Sequence, residues 1–110
     1  MKDDNTLVLV LKKKWFDMID SGIKKEEYRE IKDYWIRRLI LKEYIDKAMK
    51  STPLNEMIKQ FKYVRFRLGY ASDAPEMKFK LKSISVGIGK KEWGALDKEV
   101  FILSLGERLL

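Results

Sequence analysis

One short run, Gly22-Ile23-Lys24-Lys25-Glu26-Glu27-Tyr28-Arg29, concentrates the groups able to do chemistry. The chain has no histidine and no cysteine. That excludes Ser-His-Asp and Cys-His nucleophile systems, zinc sites of the usual kind and any disulfide framework. Catalysis would have to use Lys, Glu, Asp, Tyr or Arg, and neither a metal site nor a cofactor is expected. A lysine beside a carboxylate in a partly dry pocket has two uses. With its pKa lowered by burial or by Arg29, Lys24 is a nucleophile or base; with its charge kept, it binds an anion. Glu27 can accept a hydrogen bond from an exocyclic amine, and Arg29 can grip a carbonyl, carboxylate or phosphate through two donors. The competing interpretation is a surface strand laced with salt bridges, each worth about 0–1 kcal/mol.

Two further constellations stand out. Arg65 and Arg67 alternate with apolar residues in one segment, and Lys78, Lys80 and Lys82 do so in the next. If the two segments pair, up to five cations share a sheet face with Tyr63. Like charges facing across strands are destabilising, and a single strand of RNA would relieve that with its phosphates while stacking on the ring. A solvated outer face explains the same pattern. The third stretch, Gly87-Ile88-Gly89-Lys90-Lys91-Glu92-Trp93-Gly94, is not a dinucleotide fingerprint, because Glu92 stands in the third glycine's place. It suits a rim loop that offers Trp93 for stacking, or one that uses Trp93 as a packing staple.

The elements that must position these groups follow from periodicity. Leu7 to Leu11 is a continuous apolar run, which predicts a strand covered on both faces. Trp15, Met18 and Ile19 have helical spacing, and Gly22 falls where a helix takes a left-handed C′ residue. Lys25 to Ile31 alternates, so as a strand it points Glu27 and Arg29 the same way. On an inward face the two would be buried side by side, which requires that they satisfy each other or a ligand. Lys32 to Lys50 carries an apolar stripe and a charged back, the pattern of one long amphipathic helix with favourable i,i+4 pairs Asp33/Arg37, Glu43/Lys47 and Asp46/Lys50. Trp15 and Trp35 lie on such apolar faces and are read as core. Thr52-Pro53 starts a short helix to about Gln60. Phe61 to Leu68 is a strand, and Gly69 to Glu76 is a loop holding Tyr70. In the next strand the apolar parity shifts from Met77, Phe79 and Leu81 to Ile84, Val86 and Ile88, which calls for a β-bulge near Ser83. Lys90 to Lys98 is a loop. Val100 to Leu105 is a last strand covered on both faces and closed by Gly106. A small mixed sheet closed into a barrel, with helices outside, accommodates this α+β order.

At 110 residues and 45% hydrophobic content the chain suits one domain with a real core. No apolar stretch reaches the roughly 18 residues that span a bilayer. Met1-Lys2-Asp3-Asp4-Asn5 is wrong for a signal or transit peptide, so a cytoplasmic protein without a membrane partner is expected. The net charge of +7 is concentrated between Lys32 and Lys91, with fifteen basic against six acidic side chains, and this favours an anionic partner, nucleic acid first.

Gly22, Lys24, Glu27 and Arg29 fit G-x-K-x-x-E-x-R, and with them the chain resembles the ASCH domain of the PUA-like superfamily. The Leu7–Leu11 run with Trp15-Phe16-Asp17 is similar to that family's opening. Phe66 to Tyr70 is similar to its central strand; Gly87-Ile88-Gly89, Trp93-Gly94 and Val100 to Gly106 are similar to its closing strands. The resemblance spans most of the chain and implies a small PUA-like β-barrel whose cleft is lined by the motif and binds RNA or a nucleotide-like ligand. Gly22, Lys24, Glu27, Arg29, Tyr70 and Trp93 are then the ligand-binding residues, and Arg65, Arg67, Lys78, Lys80 and Lys82 the nucleic-acid-binding ones. One enzymatic branch resembles an amidohydrolase acting on N4-acetylcytidine, with the motif lysine as catalytic amine helped by a threonine. Lys24 matches that lysine, and Glu27 stands at the threonine's position. The alternatives are therefore a small hydrolase or ribonuclease using Lys24, Glu27 and Arg29, or a basic protein-interaction module.

Overall fold

Five strands curl into a half-barrel against short helices in the structure, a computed structural model that describes residues 5–45 and 54–110, side chains of residues 54 and 55 excepted. In chain order they are β1 (Thr6–Val10), α1 (Lys13–Asp20), β2 (Glu26–Glu30), α2 (Asp33–Leu39), α3 (Lys42–Ile45), α4 (Leu54–Met57), β3 (Tyr63–Arg67), β4 (Glu76–Ile88) and β5 (Glu99–Arg108), with a 3₁₀ turn at Lys91–Trp93 before β5. The sheet order is β1-β3-β4-β5-β2; β1 and β3 run parallel and every other pairing is antiparallel. No described helix is long and apolar enough to cross a membrane.

The sheet does not close. β1 and β2 are its two edges, and where a barrel would carry a ladder between them the Arg29 guanidinium reaches across to the Val10 carbonyl at 3.5 Å. The expected barrel is thus a half-barrel with an open seam.

The apolar run of β1 is not covered on both faces. As an edge strand it alternates: Leu7, Leu9 and the following Leu11 are buried, while Val8 is exposed and Val10 half-buried. Larger side chains face the core and valines face outward, a distinction of size that polarity alone conceals. β5 does run through the middle of the sheet, and Val100, Phe101, Ile102 and Leu103 are all buried. It continues through Gly106 to Arg108 rather than ending there.

The expected single helix from Lys32 to Lys50 breaks after Leu39. Ile40 is extended (φ −100°, ψ 140°) and forms an antiparallel bridge with Ile58. Leu41 N–H donates to Met57 O at 2.7 Å and Lys59 N–H to Leu39 O at 2.9 Å. Three consecutive apolar residues, Leu39-Ile40-Leu41, cannot share one helical face; the extended turn lets Leu39 and Ile40 both enter the core. Asp33 and Arg37 pair at 3.0 Å as expected. The pairs Glu43/Lys47 and Asp46/Lys50 and the Thr52-Pro53 helix start lie outside the described residues.

The bulge is where the parity shift puts it. The β4–β5 register slips between Phe79 and Leu81 and again between Leu81 and Ser83. This bend lets β4 pair with β3 through its first half and with β5 through its second. Met77, Phe79, Val64, Phe66, Phe101 and Leu103 meet Phe16 and Ile19 of α1 in the main core. Tyr28, Val100 and Ile102 form a smaller cluster. Phe101 and Leu103 pair with Arg29 and Glu27, so those two charged side chains share the core-facing side of β2.

Candidate functional site

Gly22 sets up the site by ending α1. It takes φ +85°, its N–H donates to Ile19 O at 3.0 Å, and Ile23 N–H donates to Met18 O at 3.1 Å. These are the paired bonds of a Schellman motif, and they turn the chain so that Lys24 enters the protein. Gly22 itself borders open space.

The Lys24 side chain is fully buried. Its Nζ donates to the Trp93 carbonyl and lies 3.1 Å from Glu27 Oε1. The Tyr28 ring is 4.7 Å from the ammonium and the Trp15 ring 5.3 Å. Burial pushes the lysine pKa down, and the adjoining Glu27 carboxylate opposes that shift.

Glu27 is 4% exposed and holds two cations. Oε1 faces Lys24 and accepts Tyr28 N–H at 3.1 Å; Oε2 accepts Arg29 Nη1 at 2.7 Å. Arg29 also donates to Tyr28 O at 2.8 Å, and its guanidinium lies 5.0 Å from the Trp35 ring. A buried carboxylate persists here because almost every acceptor site on it is used. Tyr28 points to the other side of β2. Its hydroxyl donates to Glu26 at 2.8 Å and accepts Lys90 N–H at 3.1 Å. Its pKa is pushed up to about 12, first by burial.

A cavity of about 640 Å³ fills the seam between the two sheet edges. Val8 to Val10 of β1, with Leu11 and Lys12 after it, line one side; Glu27 and Arg29 of β2 line the other. Trp15 of α1 and Tyr34, Trp35 and Arg38 of α2 complete the wall, with Tyr70, 85% exposed, at the mouth. Arg38 Nη2 donates to Val8 O at 3.3 Å, while its Nε has no partner among the described residues. Tyr34 and Trp35 meet edge to face at 4.7 Å.

The structure therefore brings Glu27, Arg29 and Tyr70 together around one cavity. Gly22, Lys24 and Trp93 are not on its wall. Trp93 is half-buried in the 3₁₀ turn, packs with the Tyr28 cluster and carries Lys90 Nζ 4.2 Å above its ring. Its backbone carbonyl holds Lys24, while its side chain packs on the Tyr28 cluster. Trp15 and Trp35, read from the sequence as core, are both half-buried and line the cavity; Trp35 also packs against the main core. Helical periodicity hides Tyr34, Trp35 and Arg38, because it sees an apolar stripe and a charged back but not the seam where they meet. The available signal is proximity: Trp15 and Trp35 flank the motif.

The basic segments do pair. Arg65 lies opposite Lys78 and Tyr63 opposite Lys80. They are not a free cationic strip, however. Glu76, opposite Arg67, lies 2.7 Å from Arg67 and 3.7 Å from Arg65, Lys80 meets Glu107 at 3.1 Å, and Lys78 lies 4.6 Å above the Tyr63 ring. Lys82 sits in the bulge. Three of the five cations, Arg65, Arg67 and Lys80, thus have a carboxylate, Glu76 or Glu107, within 4 Å.

Comparison with protein-family models, with curated proteins and with solved structures gave no match.

Proposed function

We infer that the seam is a binding site for RNA or a nucleotide-like ligand, in an ASCH-like, PUA-type domain. The carrying observation is the cavity itself: two indoles and two tyrosine rings stand around Glu27, Arg29 and Arg38 in a volume of about 640 Å³. Stacking of a base on an aromatic side chain is worth about 1–3 kcal/mol. Glu27 Oε2 has one acceptor site left after Arg29, which suits an exocyclic amine. Arg38 at the wall suits a carbonyl or phosphate oxygen.

The hydrolase alternative is less well supported. Lys24, its reacting amine, is fully buried and engaged by the Trp93 carbonyl and Glu27. The protein-interaction alternative loses ground because Glu76 and Glu107 already answer much of the basic face.

The test is binding of a short single-stranded RNA, followed by anisotropy at several salt concentrations. Affinity should fall linearly on a log–log plot, with a slope of about −0.7 per phosphate contact. Trp35→Ala should weaken binding by about 1–3 kcal/mol. Arg38→Ala should weaken it too, with the melting temperature preserved because that side chain is partly exposed. No binding at low salt, or binding indifferent to both substitutions, would contradict the seam site.

A further inference from the structure

A second concavity, of about 600 Å³, lies between the segment leading into β3 and the bend of β4. Lys59, Lys62, Lys80 and Lys82 line it, together with Gln60 and Ser83, and none of its described lining residues is acidic. Lys80 has a carboxylate, Glu107 at 3.1 Å, but that pair is more than half exposed and weakly held. Among the described residues, Lys59, Lys62 and Lys82 form no ion pair. This differs from the outer face of β3 and β4, where Glu76 sits between Arg65 and Arg67.

The groove is also fixed in place. Leu81 N–H donates to Lys62 O at 2.9 Å, and Lys62 and Tyr63 N–H both donate to Asn5 O, at 2.9 and 3.1 Å. The Lys62 and Lys82 segments are thus tied together through backbone. The bulge adds to this: Lys82 falls between the register pairs Leu81–Leu105 and Ser83–Ser104, in the irregular part of the ladder. Like charges held around one concavity focus a positive potential, and a bound anion relieves their repulsion.

We propose that this groove is a separate anion site that takes phosphate groups, either the phosphodiester chain of RNA or a free polyphosphate. Lys62 and Lys82 are its principal contacts; Lys59 and Lys80 flank them, and Gln60 and Ser83 supply neutral hydrogen-bond donors. The groove stands on its own charges and does not depend on what occupies the seam, which lies toward the other end of β3.

The experiment is amide-resolved NMR titration of the full chain with tripolyphosphate, then with a short single-stranded RNA. Three variants accompany it: Lys62→Ala/Lys82→Ala, the charge-matched control Lys13→Ala/Lys91→Ala on exposed sites, and Trp35→Ala in the seam. All the substituted lysines are exposed, so the spectra should confirm an intact fold. Tripolyphosphate should shift amides from Lys59 to Lys62 and from Lys82 to Ile84. The groove variant should weaken it by at least about tenfold, as expected for two lost charge-assisted contacts; the control and Trp35→Ala should leave it nearly unchanged. If RNA is the source of the phosphates, its salt slope should fall by about 1.4 in the groove variant. An unchanged RNA slope in the groove variant, with tripolyphosphate binding lost there, assigns the groove to free polyphosphate. Diffuse shifts, or equal weakening in the groove variant and the lysine control, would overturn the proposal. A loss of RNA binding in Trp35→Ala with tripolyphosphate unaffected would separate the fate of the seam from that of the groove.

Discussion

Glu27 has a single carboxylate with which to answer two cations, and that asymmetry orders the effects of substitution. Removing it leaves the buried Lys24 amine without a counter-charge, with the Trp93 carbonyl as its remaining polar partner. Glu27→Ala should therefore cost about 3–5 kcal/mol in urea unfolding. Lys24→Met should cost clearly less, since it fills the same space and leaves Glu27 held by Arg29 at 2.7 Å. The reverse order would mean that Lys24 is not the buried partner described. Tyr28 gives a pH test. Its folded pKa is raised to about 12 from an ordinary 10.0, so the folded state holds the phenolic proton more tightly. The stability this contributes is whole below pH 10 and is lost as the pH rises toward 12. Urea unfolding from about pH 9 upward should show an alkaline decline that is shallower in Tyr28→Phe. Parity in Lys25 to Ile31 makes the Glu27–Arg29 pair legible in the sequence. It does not reveal that Lys24 turns away to the Trp93 carbonyl, because that contact spans 69 residues.

At the scale of elements, turn chemistry is readable in the sequence and tertiary competition is not. Gly22 has the position and the positive φ of a helix C′ residue, and the bulge in β4 sits at the shift of apolar parity. The break at Ile40 is different. Its cause is the bridge to Ile58, a pairing that local periodicity cannot contain. The covering of β1 likewise depends on its place at the edge of the sheet. Two glycines separate helix geometry from cavity geometry. Gly22→Ala places its Cβ in open space and bears only the strain of the left-handed backbone, about 1–2 kcal/mol. Gly94→Ala bears the same strain at φ +96° and also sets a Cβ 2.8 Å from the Trp15 ring. Thermal melts should show the second as the larger loss. Only Gly94→Ala should also weaken RNA binding, because it displaces a wall of the cavity.

For the whole molecule, the decisive feature is that a five-stranded sheet curls without closing. An open seam leaves two strand edges and two helices around one space, and tryptophans from both helices stand in it. The chain carries a net charge of +7, and the distribution of that charge matters more than its size. The outer face of β3 and β4 is largely matched by Glu76 and Glu107, whereas the groove at Lys62 and Lys82 is not matched by any described carboxylate. The most direct test of the seam uses the chain's three tryptophans as reporters. Their indole N–H resonances, assigned by single substitution, should be followed while single-stranded RNA is added. A ligand in the seam should move the signals of Trp15 and Trp35 and leave that of Trp93, which lies off the cavity wall, nearly still. Movement of Trp93 alone, or three unmoved indoles at saturating RNA, would contradict it.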